Sequence, residues 1–208
     1  DWLTETGQVL KQPNRNFGKQ LKPKGDSPAH IVPSGPGYEY ENNRKLFASL
    51  FYAAEKDITI VNPYFVPDQS LITALTSAAR RGVRVRLLNS EAIDQVFVAH
   101  AQRSYYEEML QAGVEIYLYK KPTLLHSKYA IIDDDACFVG SSNMDIRSFE
   151  LNQELTLTVY DKKFVAAMQR ITDGYLKKST RVSKKAWLSR PPRKQLLDNI
   201  ARLTSSLQ

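Results

Sequence analysis

A single cysteine, Cys137, stands in 208 residues. One thiol cannot close an intrachain disulfide, so a disulfide scaffold is excluded and a reducing setting is expected. Long apolar runs are missing too: no stretch approaches the ~18 residues that a membrane-spanning helix needs. The opening, Asp1-Trp2-Leu3-Thr4-Glu5, has neither an initiator Met nor a basic-then-apolar leader, so the chain reads as an excised piece or a processed product. Histidine is scarce, with His30, His100 and His126 the only three. Apart from the acids of Asp133-Asp134-Asp135, no His, Cys or carboxylate set has metal-ligand spacing, and no metal is expected. There is no internal repeat.

What is present fits a globular protein: 42% hydrophobic, 25% charged and 10% aromatic residues. The length favours one domain with an extra arm, enough to bury roughly 70% of its unfolded surface. The net charge of +7 is uneven. Lys162 to Lys194 holds eleven Lys or Arg and one acid, Asp173, so that segment carries +10 and the remainder −3. Such a block suits phospholipid headgroups or nucleic acid; the alternative is a solvated, Lys-rich helix face.

Between Lys11 and Gly37, five prolines (Pro13, Pro23, Pro28, Pro33 and Pro36) mark residues 1–37 as a linker or wrapping arm, with a short edge strand at Ala29–Val32. Leu46, Phe47, Leu50 and Ala54 predict a helix over 42–56. Residues 57–62 read as a buried strand ended by Pro63. Asp68 can cap a helix through Arg81, stopped by Gly82. A strand at 83–88, a helix from Asp94 to Gln111 stopped by Gly113, and a strand at 114–119 follow. Then come three strand-like segments, 125–132, 136–140 and 153–160, with no long helix between them, and a helix over 162–178. The alternation predicts an α/β fold on a mixed sheet. The expected organisation is an arm at 1–37, a domain at 38–180 and a basic tail at 181–208. In that tail Leu196, Ile200, Leu203 and Leu207 form an amphipathic face, which either docks on the domain or lies in an anionic membrane surface. Trp187, among Lys184, Lys185 and Arg190, reads as a membrane-interface anchor or an ordinary surface tryptophan.

The segment from Leu125 to Tyr160 carries the chemistry. On a strand, residues two apart point the same way, which places His126 and Lys128 together and Ser127 and Tyr129 opposite. An imidazole beside an ammonium is a nucleophile or proton carrier next to an anion holder. Gly140 lets backbone approach a ligand. Ser141 and Asn143 can donate to phosphate oxygens. A Glu154 carboxylate reaching the second His126 nitrogen would fix its tautomer. Asp133 is an odd number of residues from His126, so parity sends it to the other face and makes it structural.

The spacing His126-x-Lys128-x4-Asp133-x6-Gly140-Ser141-x-Asn143 resembles the signature of the phospholipase D superfamily. Asn143-Met144-Asp145-x-Arg147-Ser148, Leu151-Asn152 and Glu154 resemble the C-terminal half of its bacterial cardiolipin synthase branch. So do Asn62-Pro63-Tyr64-Phe65-Val66-Pro67, Ala79-Arg80-Arg81-Gly82-Val83 and Leu110-x-Ala112-Gly113-Val114. The opening Asp1-Trp2-x-x-Glu5-Thr6-Gly7 is similar to the joint between that branch's two halves.

The resemblance implies a three-layer α/β/α sandwich with a mixed sheet. It implies phosphatidyl transfer between two phosphatidylglycerols through a phosphohistidine, with neither metal nor cofactor. His126 would be the general acid, Lys128 with Asn143 and Ser141 would hold the phosphate, Glu154 would orient His126, and Asp133 would belong to the catalytic signature. The implied partners are anionic phospholipid, a membrane surface and an upstream half or second copy, with no nucleic acid. The implied location is the cytoplasmic side of the bacterial inner membrane. In-line displacement places entering and leaving groups on opposite sides of phosphorus, so one imidazole cannot serve both. The alternative is a dimeric phosphodiesterase or nuclease, or a non-catalytic anion-binding module.

Overall fold

The computed structural model describes residues 25–38, 41–93 and 95–203. The readings placed on residues 1–24, Asp94 and Leu207 fall outside these. At the centre are two of the segments expected as strands, 57–62 and 83–88, β1–β10 being numbered along the chain. β2 (Asp57–Val61) pairs in parallel with β4 (Arg84–Ser90), and β4 in parallel with β5 (Glu115–Tyr119). On the other side of β2 lie β6 (Tyr129–Ile132), β7 (Ala136–Gly140) and β9 (Glu154–Val159), all antiparallel to their neighbours. β1 (Ala29–Ser34) and β10 (Ser179–Arg181) close the edges, giving the order β1-β9-β7-β6-β2-β4-β5-β10. A separate parallel pair joins β3 (Phe65–Val66) to β8 (Met144–Asp145).

Side-chain alternation sends β2 residues to two cores. Ile58 and Ile60 join Phe47 and Phe51 of α1 (Asn42–Ala53), Leu71 and Leu75 of α2 (Gln69–Arg80) and Tyr106 of α3 (Val96–Ala112). Val61 faces the opposite cluster, where Val165 and Met168 of α5 (Lys162–Lys177) cover Tyr129, Ile131 and Cys137. The fold is therefore a three-layer α/β/α sandwich on a mixed sheet. Asp68 caps α2 as expected, accepting from the Leu71 amide at 3.0 Å; Asp161 caps α5 in the same way, from the Phe164 amide at 2.7 Å. Gly113 ends α3 at φ 102°.

The differences from expectation have local causes. β6 begins at Tyr129 and not at Leu125, because Leu125 donates its amide to the Ser90 side chain at 3.1 Å instead of joining the ladder. The short α4 (Ile146–Glu150) and β8 interrupt the chain between β7 and β9. The arm and tail boundaries do not separate layers here: β1 lies in the arm and pairs with β9, while β10 pairs with β5 and ends at residue 181.

The tail turns back as α6 (Lys184–Leu188) and α7 (Pro192–Leu203) and packs on α3. Buried Asp198 of α7 pairs with His100 Nδ1 at 2.9 Å and accepts from Arg190 at 2.8 Å. Trp187 packs against the Tyr106 ring, 5.1 Å between centroids, with the Arg190 guanidinium stacked on it at 3.5 Å. Trp187 thus fastens the tail inward against α3. The helix meets α3 through Asp198 and Ala201, so its Leu196 and Ile200 face outward.

Asp133 sits in the left-handed region, φ 51°, in the β6–β7 turn. Its carboxylate accepts from the amides of Glu55, Lys56 and Asp57 at 3.1, 2.7 and 2.8 Å and so ties that turn to the start of β2. Burial alone would raise its pKa, but those three donors and the Lys56 charge outweigh it and hold the carboxyl below its usual value. A depressed folded-state pKa contributes stability present above the unfolded value of about 4 and lost as pH falls through the folded one. Asp133→Asn tolerates the left-handed backbone but removes the charge. It is expected to cost about 1.5 kcal/mol at pH 7, a melting temperature roughly 3–6 °C lower, with the gap narrowing below pH about 4. Equal melting temperatures at pH 7 would contradict this role.

Candidate active site

Strand register assembles the site. Val61 lies opposite Tyr129, Tyr129 opposite Val139, and Gly140 opposite Thr156. The residues just beyond these pairs, Asn62, Lys128, Ser141 and Glu154, therefore meet at one end of the sheet. Asp133 is at the other end, roughly 16 Å from Lys128 by strand rise. Signature membership does not bring it to the site; its work is at the β2 start.

His126 and Lys128 do share a side. The Lys128 ammonium stands 3.3 Å from both His126 ring nitrogens and 3.0 Å from its carbonyl oxygen. Ser127 and Tyr129 point the other way, to Tyr175 at 3.3 Å and Thr172 at 2.9 Å on α5. Extended alternation thus persists through 126–128 even outside the ladder. Partial burial lowers the Lys128 pKa, while the charges of Glu154 and Asp145 oppose that fall.

Glu154 is held from the side expected to bind phosphate. Ser141 Oγ donates to one Glu154 oxygen and Asn152 to the other at 3.4 Å, while Ser141 Oγ accepts from the Leu155 amide at 3.1 Å. Ser141 is thereby engaged within the protein. The hydrogen bonds of Glu154 go to Ser141 and Asn152 rather than to the His126 ring. Gly140 also serves packing and not ligand approach: a Cβ there would meet the Leu155 carbonyl at 2.5 Å.

Two participants escaped sequence reasoning. Asp145, buried, caps α4 by accepting from the Ser148 amide at 2.6 Å. Burial raises its carboxyl, the Glu154 charge adds to this, and hydrogen bonds from Ser148 and Asn143 oppose it. Tyr64 sets its ring edge-on to His126, 6.2 Å between centroids. A buried chain fixes the Tyr64 loop. The Phe65 amide donates to Gln102 at 2.9 Å and Gln102 to Tyr106 at 2.8 Å. Tyr106 in turn donates to Asn89 at 2.9 Å, and Asn89 to the Asn62 carbonyl at 2.8 Å. The sequence signals were Asp145 two residues from Asn143, and Tyr64 directly after the strand-ending Asn62-Pro63.

A cleft of about 620 Å³ opens beside this cluster, with Tyr64 and Asp145 in its wall. Asn143 and Arg147 add polar surface; Val66, Val96 and Phe97 make an apolar side. Asn143 Oδ1 is buried without a hydrogen-bond partner. Among the described residues no group of three or more His, Cys, Asp or Glu side chains is placed to hold a metal ion.

Residues 47–175 match the family profile described as "Cardiolipin synthase, PLD-like domain". The chain belongs to this cardiolipin synthase, PLD-like domain family. A cardiolipin synthase of Halalkalibacterium halodurans is 40% identical over 168 residues, which cover 81% of this chain and 33% of the relative. One from Alkalihalophilus pseudofirmus is 36% identical over 207 residues, 100% of this chain and 41% of the relative. The chain thus spans well under half the length of these relatives. Among solved structures, phosphatidylserine synthase of Haemophilus influenzae superposes with a TM-score of 0.67 at 16% identity, covering 86% of this chain and 48% of that one. Nuc, a phospholipase D family member from Salmonella typhimurium, gives 0.64 at 18% identity over 76% of this chain and 99% of its own. At such identities these two establish the PLD-like fold alone.

In this PLD-like domain Glu154 is the nearer test of the electrostatics. Glu154→Gln removes a charge that raises the Lys128 pKa, so the lysine is expected to deprotonate at lower pH, read by ¹³C NMR of labelled lysine. An unchanged Lys128 titration would contradict the coupling.

Proposed function

We propose that this chain supplies one half of a phosphatidyl-transfer site that converts two phosphatidylglycerols into cardiolipin and glycerol. The contact that supports this most strongly is the Lys128 ammonium against the His126 ring, 3.3 Å from both nitrogens, beside a cleft with one polar and one apolar wall. An ammonium there meets a phosphodiester oxygen while the imidazole stands within reach of a bridging oxygen.

A histidine from an upstream half or a second copy attacks phosphorus. An N–P bond forms as the P–O bond to the glycerol headgroup breaks, and His126 delivers its proton to the departing alkoxide. His126, now neutral, takes the proton from the hydroxyl of the second phosphatidylglycerol as that oxygen displaces the phosphohistidine. In-line geometry assigns the two steps to two imidazoles on opposite sides. Lys128 and the Asn143 amide hold the nonbridging oxygens. Glu154 acts on Lys128 through charge, with Ser141 fixing the carboxylate. No metal enters this scheme. The proposed setting is the cytoplasmic side of the bacterial inner membrane, where both phospholipids lie in one surface; no described helix is long and apolar enough to cross a membrane.

The test is product analysis on phosphatidylglycerol vesicles with the two-half protein. His126→Ala is expected to cut cardiolipin formation by roughly 10²–10⁴-fold. Turnover equal to wild type would remove His126 from the chemistry. Cleavage of DNA with no cardiolipin formed would replace the transferase reading with the nuclease alternative.

A further inference from the structure

Most exposed apolar side chains of a globular domain are scattered singly. Here two groups stand on neighbouring, packed helices. Val96 and Phe97, in the first turn of α3, are 68% and 73% exposed. On α7, Leu196, Leu197 and Ile200 are 60%, 57% and 52% exposed. The helices run side by side in the same direction, because His100 meets Asp198 and the Arg202 guanidinium lies over Tyr105 at 4.5 Å. Phe97 is one turn before His100, which puts it level with the turn of α7 that precedes Asp198 and carries Leu196 and Leu197. Phe97 and the Leu196–Leu197 turn therefore lie toward the same end of the two packed helices.

Two observations say what this surface meets. Val96 and Phe97 also wall the cleft beside His126 and Lys128, so the apolar surface is continuous with the mouth of the site. Its charged border is basic: exposed Arg193 lies three, four and seven residues before Leu196, Leu197 and Ile200, on the same helix face. The acid of α7, Asp198, is turned inward, ion-paired with Arg190 and hydrogen-bonded to His100. Apolar side chains projecting through a cationic border are complementary to an anionic phospholipid surface, which accepts the first and attracts the second.

We propose that the N-terminal turn of α3 and the outward face of α7 form one membrane-docking surface that seats the cleft mouth on an anionic bilayer. A lipid headgroup then reaches Lys128 while its chains leave past Phe97. The inference rests on the phospholipid-transfer reading for its choice of partner.

Vesicle co-sedimentation of the 208-residue chain tests it, with phosphatidylcholine vesicles containing or lacking phosphatidylglycerol. Wild type is expected to bind the phosphatidylglycerol vesicles, more weakly as salt rises. Leu196→Ser/Leu197→Ser/Ile200→Ser and, separately, Phe97→Ser are each expected to weaken binding by about tenfold or more. Leu157→Ser, at an apolar site on β9 that is 38% exposed, is expected to bind as wild type. Circular dichroism melts identify any variant that loses its fold, and Arg193→Glu supplies a second, charge-based loss. Absence of wild-type binding, or equal weakening by Leu157→Ser, would overturn the docking surface. Surface-dependent binding by the chain, with no cardiolipin formed by the two-half protein, would overturn the transfer reading and leave the surface standing.

Discussion

An ammonium held 3.3 Å from an imidazole, in a half-buried setting, depends on negative charge placed behind it. Glu154 and Asp145 provide that charge from two sides, the first on the start of β9 and the second at the head of α4. Each is itself restrained, Glu154 by Ser141 and Asn152, Asp145 by the Ser148 amide. The strand pairing at β2, β6, β7 and β9 brings these groups to one end of the sheet, and a one-residue slip would reverse every side chain involved. Site chemistry and sheet register are in this sense one constraint.

That dependence explains which parts of the molecule were legible in advance. Period-two spacing put His126 beside Lys128, and helix ends at Asp68 and Gly113 announced themselves through short-range capping, which needs only neighbours in sequence. The same alternation sent Asp133 away from the site. What failed was non-local. Ser141 reads as a free hydroxyl until β9 brings Glu154 against it. Gly140 looks like space for a ligand until the Leu155 carbonyl fills that space. Trp187 looks like a surface anchor until α6 folds back onto Tyr106. The Gln102–Tyr106–Asn89 chain that steadies Tyr64 joins α3, β4 and the loop after β2, and no spacing rule connects them.

The amphipathic tail shows how a helix with two candidate faces chooses between them. Hydrophobic periodicity alone would bury Leu196 and Ile200. Instead the paired, desolvated Asp198 takes the inner position, where His100 and Arg190 satisfy it, and the leucines are left facing out. An ion pair inside and apolar groups outside is an inverted arrangement for a helix meeting water on its free side. It is a natural one for a helix whose free side meets lipid. The proposed phospholipid chemistry and the proposed lipid-facing surface would then be two consequences of one substrate class.

The most direct test of the central claim, that this histidine–lysine pair is half of a two-histidine site, is turnover of radiolabelled phosphatidylglycerol by the 208-residue chain held strictly monomeric. Mass should be verified by light scattering in the assay mixture. The account predicts almost no cardiolipin from the monomer, and its appearance when a second histidine-bearing half is added in trans. Sustained cardiolipin synthesis by the lone monomer would contradict it.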